Sequence, residues 1–154
     1  MRMNLLAAGT KMPQWVQQGF REYAQRMPRE CRLELHEIAL GGRSATPQRA
    51  KAEECERMLR AIGRDDYVVA MDVSGTEFDT GKLAHSLQEW MMSGRDVAIL
   101  IGGPDGLGGE CVARADLRWS LSPLTFPHGL VRVVVAEQLY RAVSILQNHP
   151  YHRA

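Results

Sequence analysis

Residues 96–101 carry an apolar run, Val97 to Ile101, that passes without a break into Gly102-Gly103-Pro104-Asp105-Gly106-Leu107-Gly108-Gly109. A short aliphatic run of this kind reads as a strand buried on both faces, which is the habit of parallel sheets covered by helices. Glycines at its exit admit positive φ and let a ligand come close to the main chain. In an open parallel sheet that exit lies at the carboxyl edge, where ligands bind. The same composition also makes a plain tight turn, and the residues alone leave both readings open.

The rest of the chain supplies strands and helices in alternation. Residues 4–8 are a compact apolar strand ended by Gly9, and Pro13 opens a helix on which Trp15, Val16, Phe20, Tyr23, Ala24 and Met27 recur at helical spacing before Pro28. Residues 31–38 alternate, with Leu33 and Leu35 on one face, as a half-buried strand does. A loop from Gly41 to Pro47 precedes a charged helix over 48–61, and residues 67–72 form a buried strand followed by a loop around Ser74 and Gly75. Leu83, Leu87, Trp90 and Met91 mark a helix that Gly94 ends. A short helix over 110–117, a strand over 119–121, an irregular stretch over 122–129 and a long helix over 130–147 complete the pattern. This order predicts an α/β fold with a mostly parallel sheet flanked by helices, as a single domain over residues 1–154.

Composition narrows the class further. The chain has 45% apolar and 24% charged residues, which excludes disorder, and no apolar run approaches the ~20 residues of a membrane helix. Residues 1–10 contain no secretion signal. Cys31, Cys55 and Cys111 are odd in number and far apart, which predicts neither a disulfide framework nor a zinc site and places the chain in the reducing cytoplasm. Charge is polarised. Residues 1–64 carry a net +5 and residues 65–154 a net −4, so nucleic acid could be met by one face and not by bulk attraction. A solvated helix over 48–64 explains the same asymmetry.

Three segments could carry chemistry. The glycine run fails the dinucleotide fingerprint, because Pro104 stands where the second glycine belongs, and it fails the P-loop, because no Lys-Ser/Thr follows. A pyrophosphate cradle is therefore excluded and a nucleoside pocket is not. Ser120 to His128 mixes irregular backbone with Leu121, Leu124 and Phe126, as a pocket for a base requires, or simply connects two elements. The tail Asn148-His149-Pro150-Tyr151-His152-Arg153 can stack on a base and hold a phosphate, or fray. His149, His152 and Cys111 lack a third local ligand, so no metal is expected. The last helix is apolar around most of its circumference and must be covered on several sides. Either its own sheet does this, or a second copy docks along residues 131–146 as a homodimer.

Ala8-Gly9-Thr10-Lys11-Met12-Pro13, Leu100-Ile101-Gly102-Gly103-Pro104-Asp105-Gly106, Leu121-Ser122-Pro123-Leu124-Thr125-Phe126-Pro127-His128 and the tail closely resemble, in order and from end to end, the small bacterial large-subunit rRNA methyltransferases of the SPOUT superfamily. The resemblance implies a SPOUT domain with a C-terminal trefoil knot, working as a homodimer on S-adenosylmethionine. It implies methylation of N3 of pseudouridine 1915 in the helix-69 loop of 23S rRNA, within the assembled ribosome. The family's cofactor positions fall on Met71, Gly102 and the cradle Leu121, Ser122, Pro123, Leu124, Thr125 and Phe126. Met71 stands where leucine is usual, and Pro123 replaces a smaller residue and removes an N–H.

The implied nucleophile is an imide nitrogen that must lose its proton, so a base or a cation beside the imidate is needed. His128, Arg141, Tyr151, His152 and Arg153 are the catalytic candidates. Histidine is the ordinary proton acceptor near neutrality, whereas Arg141 and Arg153 stay charged and suit imidate or phosphate oxygens. Arg141 could equally pair with Glu137, four residues earlier on the same helix. A tRNA-modifying relative and a non-catalytic ribosome-binding factor are the competing readings.

Overall fold

Five strands, all parallel, lie in the order β2-β1-β4-β3-β5 in the computed structural model, which describes residues 1–42 and 46–153. They are β1 (Arg2–Ala8), β2 (Arg32–Ile38), β3 (Tyr67–Glu77), β4 (Val97–Ile101) and β5 (Leu117–Ser120). The helices are α1 (Gln14–Ala24), α2 (Pro47–Ala61), α3 (Thr80–Ser93), α4 (Gly109–Arg114) and α5 (His128–Leu146). β4 is wholly buried along its length, and its flanks β1 and β3 bury Leu5, Leu6, Val68 and Val69, so consecutive side chains point into cores on opposite faces. One core joins Leu5, Ile99, Leu83, Leu87 and Leu139 under α1, α3 and α5; the other joins Leu6, Leu100, Met58 and Cys111 under α2 and α4.

Capping explains where the helices begin. Thr46 accepts a hydrogen bond from the Arg49 N–H at 3.2 Å, and Asp79 accepts one from Lys82 N–H at 2.8 Å. Gly94 ends α3 at φ +73°, a conformation that glycine adopts without a Cβ penalty. Pro47 is the first residue of α2 and not part of the loop before it, because its missing N–H is harmless there. That expected loop also falls in part on residues 43–45, outside the described residues.

Other boundaries move for identifiable reasons. α1 stops at Ala24, short of Met27, and a single 3-10 turn over Arg29–Cys31 leads into β2. The expected helix over 110–117 ends at Arg114, because Asp116 donates its N–H to Val68 O and accepts the Val68 N–H on its carboxylate, both at 2.8 Å. Those bonds pull residues 117–120 into the sheet, so the last strand starts two residues earlier than expected. β3 runs on to Glu77 where a loop around Ser74 and Gly75 was expected. Trp119 pairs with both Met71 and Thr76, so residues 72–75 bulge out of a strand that then resumes. α5 starts at His128, within the stretch that reads as irregular. Its own chain buries Val135, Leu139 and Val143, while Val131 and Val134 stay half-buried and Leu146 is exposed.

Ile99 sits fully buried at the middle of the central strand, whereas Met92 is 81% exposed. Ile99→Ala is expected to lower unfolding free energy by about 2–5 kcal/mol in urea titrations. Met92→Ala is expected to change it by less than about 0.5 kcal/mol.

Candidate active site

The carboxyl ends of β3, β4 and β5 converge on one cavity of about 310 Å³. Its floor is Met71, Ile101, Gly102 and Trp119; its walls are the glycine turn and the segment from Leu121 to His128; Val131 of α5 closes one side. Volume and lining suit a small ligand with apolar faces, since such pockets begin near ~300 Å³. Two features shape it. The bulge in β3 turns Asp72 and Val73 into the cavity. The glycine turn is pinned by a Gly106 N–H to Gly103 O bond of 3.0 Å, and Gly106 takes φ +85°.

Of the cofactor-site candidates, Met71, Gly102, Leu121, Ser122, Leu124, Thr125 and Phe126 all line this cavity, and Pro123 does not. Pro123 faces solvent between its neighbours, while Ser122 Oγ accepts the Leu124 N–H at 3.0 Å and so shapes the turn. Leu124 is 69% exposed and forms the open lip. Sequence reading passed over Asp72 and Trp119. Asp72 accepts hydrogen bonds from Ser74 N–H and Oγ and faces Arg118, which holds its carboxyl below the usual range and keeps it anionic. The only sequence signal for it is a carboxylate that ends an apolar strand.

His128 also lines the cavity, as the first residue of α5. Burial and then the neighbouring Arg132 push its pKa below the ordinary histidine value, partly offset by Glu54. The neutral imidazole is thus the form present at neutral pH, and it can accept a proton. The Cys31 and Cys111 thiols are held protonated and are poor nucleophiles. Burial pushes Cys31 up to about 11 and raises Cys111 further. Among the described residues no three His, Cys, Asp or Glu side chains converge as metal ligands, and no helix is long and apolar enough to cross a membrane.

The remaining catalytic candidates lie elsewhere in the chain. Arg141 is thirteen residues beyond His128 on α5, about 20 Å along the helix at ~1.5 Å per residue. There it makes the pair with Glu137 that i,i+4 spacing allows, through Nε at 3.0 Å and Nη2 at 2.9 Å. The tail does not fray. Residues 150–152 form a 3-10 turn in which the Tyr151 hydroxyl donates to Glu137 Oε2 at 3.0 Å. The Tyr151 ring lies 4.7 Å from the Tyr140 ring at an interplanar angle of 59°, and the Arg141 guanidinium lies over it. Burial and the Glu137 bond raise the Tyr151 pKa, so its hydroxyl keeps its proton. His152 Nδ1 meets Ser144 Oγ at 3.3 Å, and Arg153 is exposed. One chain therefore assembles the cavity with His128 at one end of α5, and Arg141 with the tail at the other.

The family model described as "Predicted SPOUT methyltransferase" matches residues 1–152. Among curated relatives, the ribosomal RNA large subunit methyltransferase H of Alkalilimnicola ehrlichii is 59% identical over the whole of both chains. Proteins of the same description from Hahella chejuensis and Methylococcus capsulatus are each 54% identical, over 99% of this chain and 99% and 100% of theirs. A probable methylase family protein from Haemophilus influenzae shares the fold at TM-score 0.53 and 13% identity, over 99% of this chain and 70% of that one.

Proposed function

The chain belongs to the SPOUT methyltransferase family, and on that premise we propose that it methylates N3 of pseudouridine 1915 in the helix-69 loop of 23S rRNA. The methyl donor is S-adenosylmethionine, the substrate is the assembled cytoplasmic ribosome, and the working unit is a homodimer. The C-terminal trefoil knot belongs to the same reading. The observation that carries it is the cavity at the carboxyl edge of β3, β4 and β5, lined by Met71, Gly102 and five residues of the proposed cradle. Its apolar walls fit an adenine, its irregular backbone offers main-chain groups to the base edge, and the anionic Asp72 suits a donor that carries positive charge. When bound, S-adenosylmethionine supplies a methyl group activated by a cationic sulfur.

The chain's own residues would then do three things. The cavity holds the donor against Gly102 and Trp119 and limits access of water. His128, uncharged at neutral pH, takes the imide proton of the target base. Arg141 and Arg153 place positive charge beside the imidate or a neighbouring phosphate, and Tyr151 and His152 offer aromatic faces to an unpaired base. Since α5 separates these groups within one chain, the site is composite: the tail of one protomer faces the cavity of its partner. The half-buried Val131 and Val134 and the exposed Leu146 leave α5 an apolar strip for that seam.

Calorimetry with S-adenosylmethionine and mass mapping of the helix-69 loop, in ribosomes from cells with and without the protein, test this reading. Loss of the N3-methyl mark in cells without it is the expected result. An intact mark, or turnover on tRNA instead, overturns it. With a net charge of +1 the chain has few spare cations for naked RNA. Methylation of free 23S rRNA is therefore expected to run at least about tenfold slower than methylation of intact ribosomes, because the missing affinity must come from a preformed surface.

A further inference from the structure

Arg132 is a buried cation that the proposed chemistry leaves unused. It lies on α5 one turn after His128, among valines, and is 1% exposed. Burying a guanidinium is costly unless its donors are matched. Here Nη1 donates to Glu37 Oε2 at 2.7 Å, and Nη2 donates to Gly9 O at 2.8 Å and Ala8 O at 3.2 Å, while Nε has no partner among the described residues. Those acceptors lie at the carboxyl ends of β1 and β2, and a Cβ on the cavity residue Gly103 would stand 3.4 Å from Ala8 Cβ. Gly9 sits at φ +116° with no room for a side chain. A Cβ there would lie 3.3 Å from Arg132 Nη2 and 3.9 Å from His128 Nε2, which puts the two nitrogens within about 7 Å of each other.

We propose that Arg132, clamped by Glu37, is a positioning residue for methyl transfer: it fixes the Ala8–Gly9 carbonyls under His128 and sets the imidazole to receive the substrate's proton. The inference rests on the reading of His128 given above. In the step it serves, the N3–H proton passes to the imidazole and later to water. The electron pair left on N3 forms the bond to the methyl group as that group leaves its sulfur. A second cation this close opposes protonation of the ring, in line with the lowered pKa of His128. The charged groups acting on the ring are Arg132 from its own helix and, in the opposite sense, Glu54 from α2. Glu37 from β2 screens Arg132, and Lys11 on the β1–α1 loop is exposed.

The two members of the pair must therefore act in opposite directions, which a merely structural role would not produce. In the full-length protein without donor, the His128 imidazole is titrated by NMR in wild type, Arg132→Gln and Glu37→Gln. Arg132→Gln removes the repelling cation and is expected to raise the midpoint by roughly half a pH unit or more, whereas Glu37→Gln unscreens it and is expected to lower the midpoint. The acid limb of the methylation rate on ribosomes should move with each midpoint. Should Arg132→Gln fail to fold, Glu37→Gln carries the test alone, since Glu37 is one-third exposed. Midpoints that stay put, or move together in one direction, overturn the proposal. Midpoints that move oppositely while even the wild type methylates nothing uphold the coupling and sink the enzymatic reading instead.

Discussion

Gly102→Val is expected to weaken S-adenosylmethionine binding by at least about a hundredfold, which is about 2.7 kcal/mol, while the chain remains folded. A Cβ at this position would stand 2.5 Å from Gly106 C, 2.7 Å from Leu107 N and 2.8 Å from Gly106 O. All three are backbone atoms, so no rotamer change relieves the overlap and the turn itself must shift. That turn forms one wall of the cavity and is closed by the backbone bond from Gly106 N–H to Gly103 O. Gly109 gives the matching control. Among the described residues nothing lies within 4 Å of a Cβ there, and Gly109→Ala is expected to bind the donor like wild type. Calorimetry on both variants, with a denaturant titration to check folding, decides the matter. Unchanged affinity in Gly102→Val would mean that the cavity is not the donor site.

Deleting residues 149–154 is expected to abolish methylation, by about a thousandfold or more, and to leave donor affinity within about threefold. The tail holds Tyr151, His152 and Arg153 far from the cavity of its own chain, so its loss should remove substrate handling without touching the donor. The composite site makes a sharper demand. Gly102→Val protomers retain a good tail, and truncated protomers retain a good cavity. Random exchange of the two gives half heterodimers, each with one competent site, and so about a quarter of wild-type activity. Mixed and re-equilibrated subunits assayed on ribosomes should show this recovery. Two inactive variants that stay inactive together would place the tail and the cavity in one chain.

Much of this was legible in the residues because the signals were local. The aliphatic run of β4, the glycine exit and the proline-flanked segment each announce themselves within ten residues, and the structure brings all three to one edge of the sheet. What could not be read was decided between distant elements. The bulge that turns Asp72 inward depends on Trp119 pairing twice with β3. The end of α4 depends on Asp116 bonding to Val68. Nothing in the valine-rich run around Arg132 marks that residue as buried. Only the crossing of β1, β2 and α5 shows that its partners are Glu37 and two main-chain carbonyls. Tyr151 likewise finds Glu137 fourteen residues away, and no periodicity predicts that bond. The strand order itself, with β4 inserted between β1 and β3, follows from which faces must be covered and not from any segment alone.

The three cysteines have a practical corollary. All are buried, and Cys31 and Cys111 are further suppressed as thiolates. Toward a maleimide dye the native protein should behave as though it had no sulfhydryl at all. A lone reporter placed at the protruding Met92 as Met92→Cys can therefore be tagged selectively without first stripping the interior. Donor and acceptor fluorophores on separately tagged batches would then follow subunit exchange by energy transfer in real time.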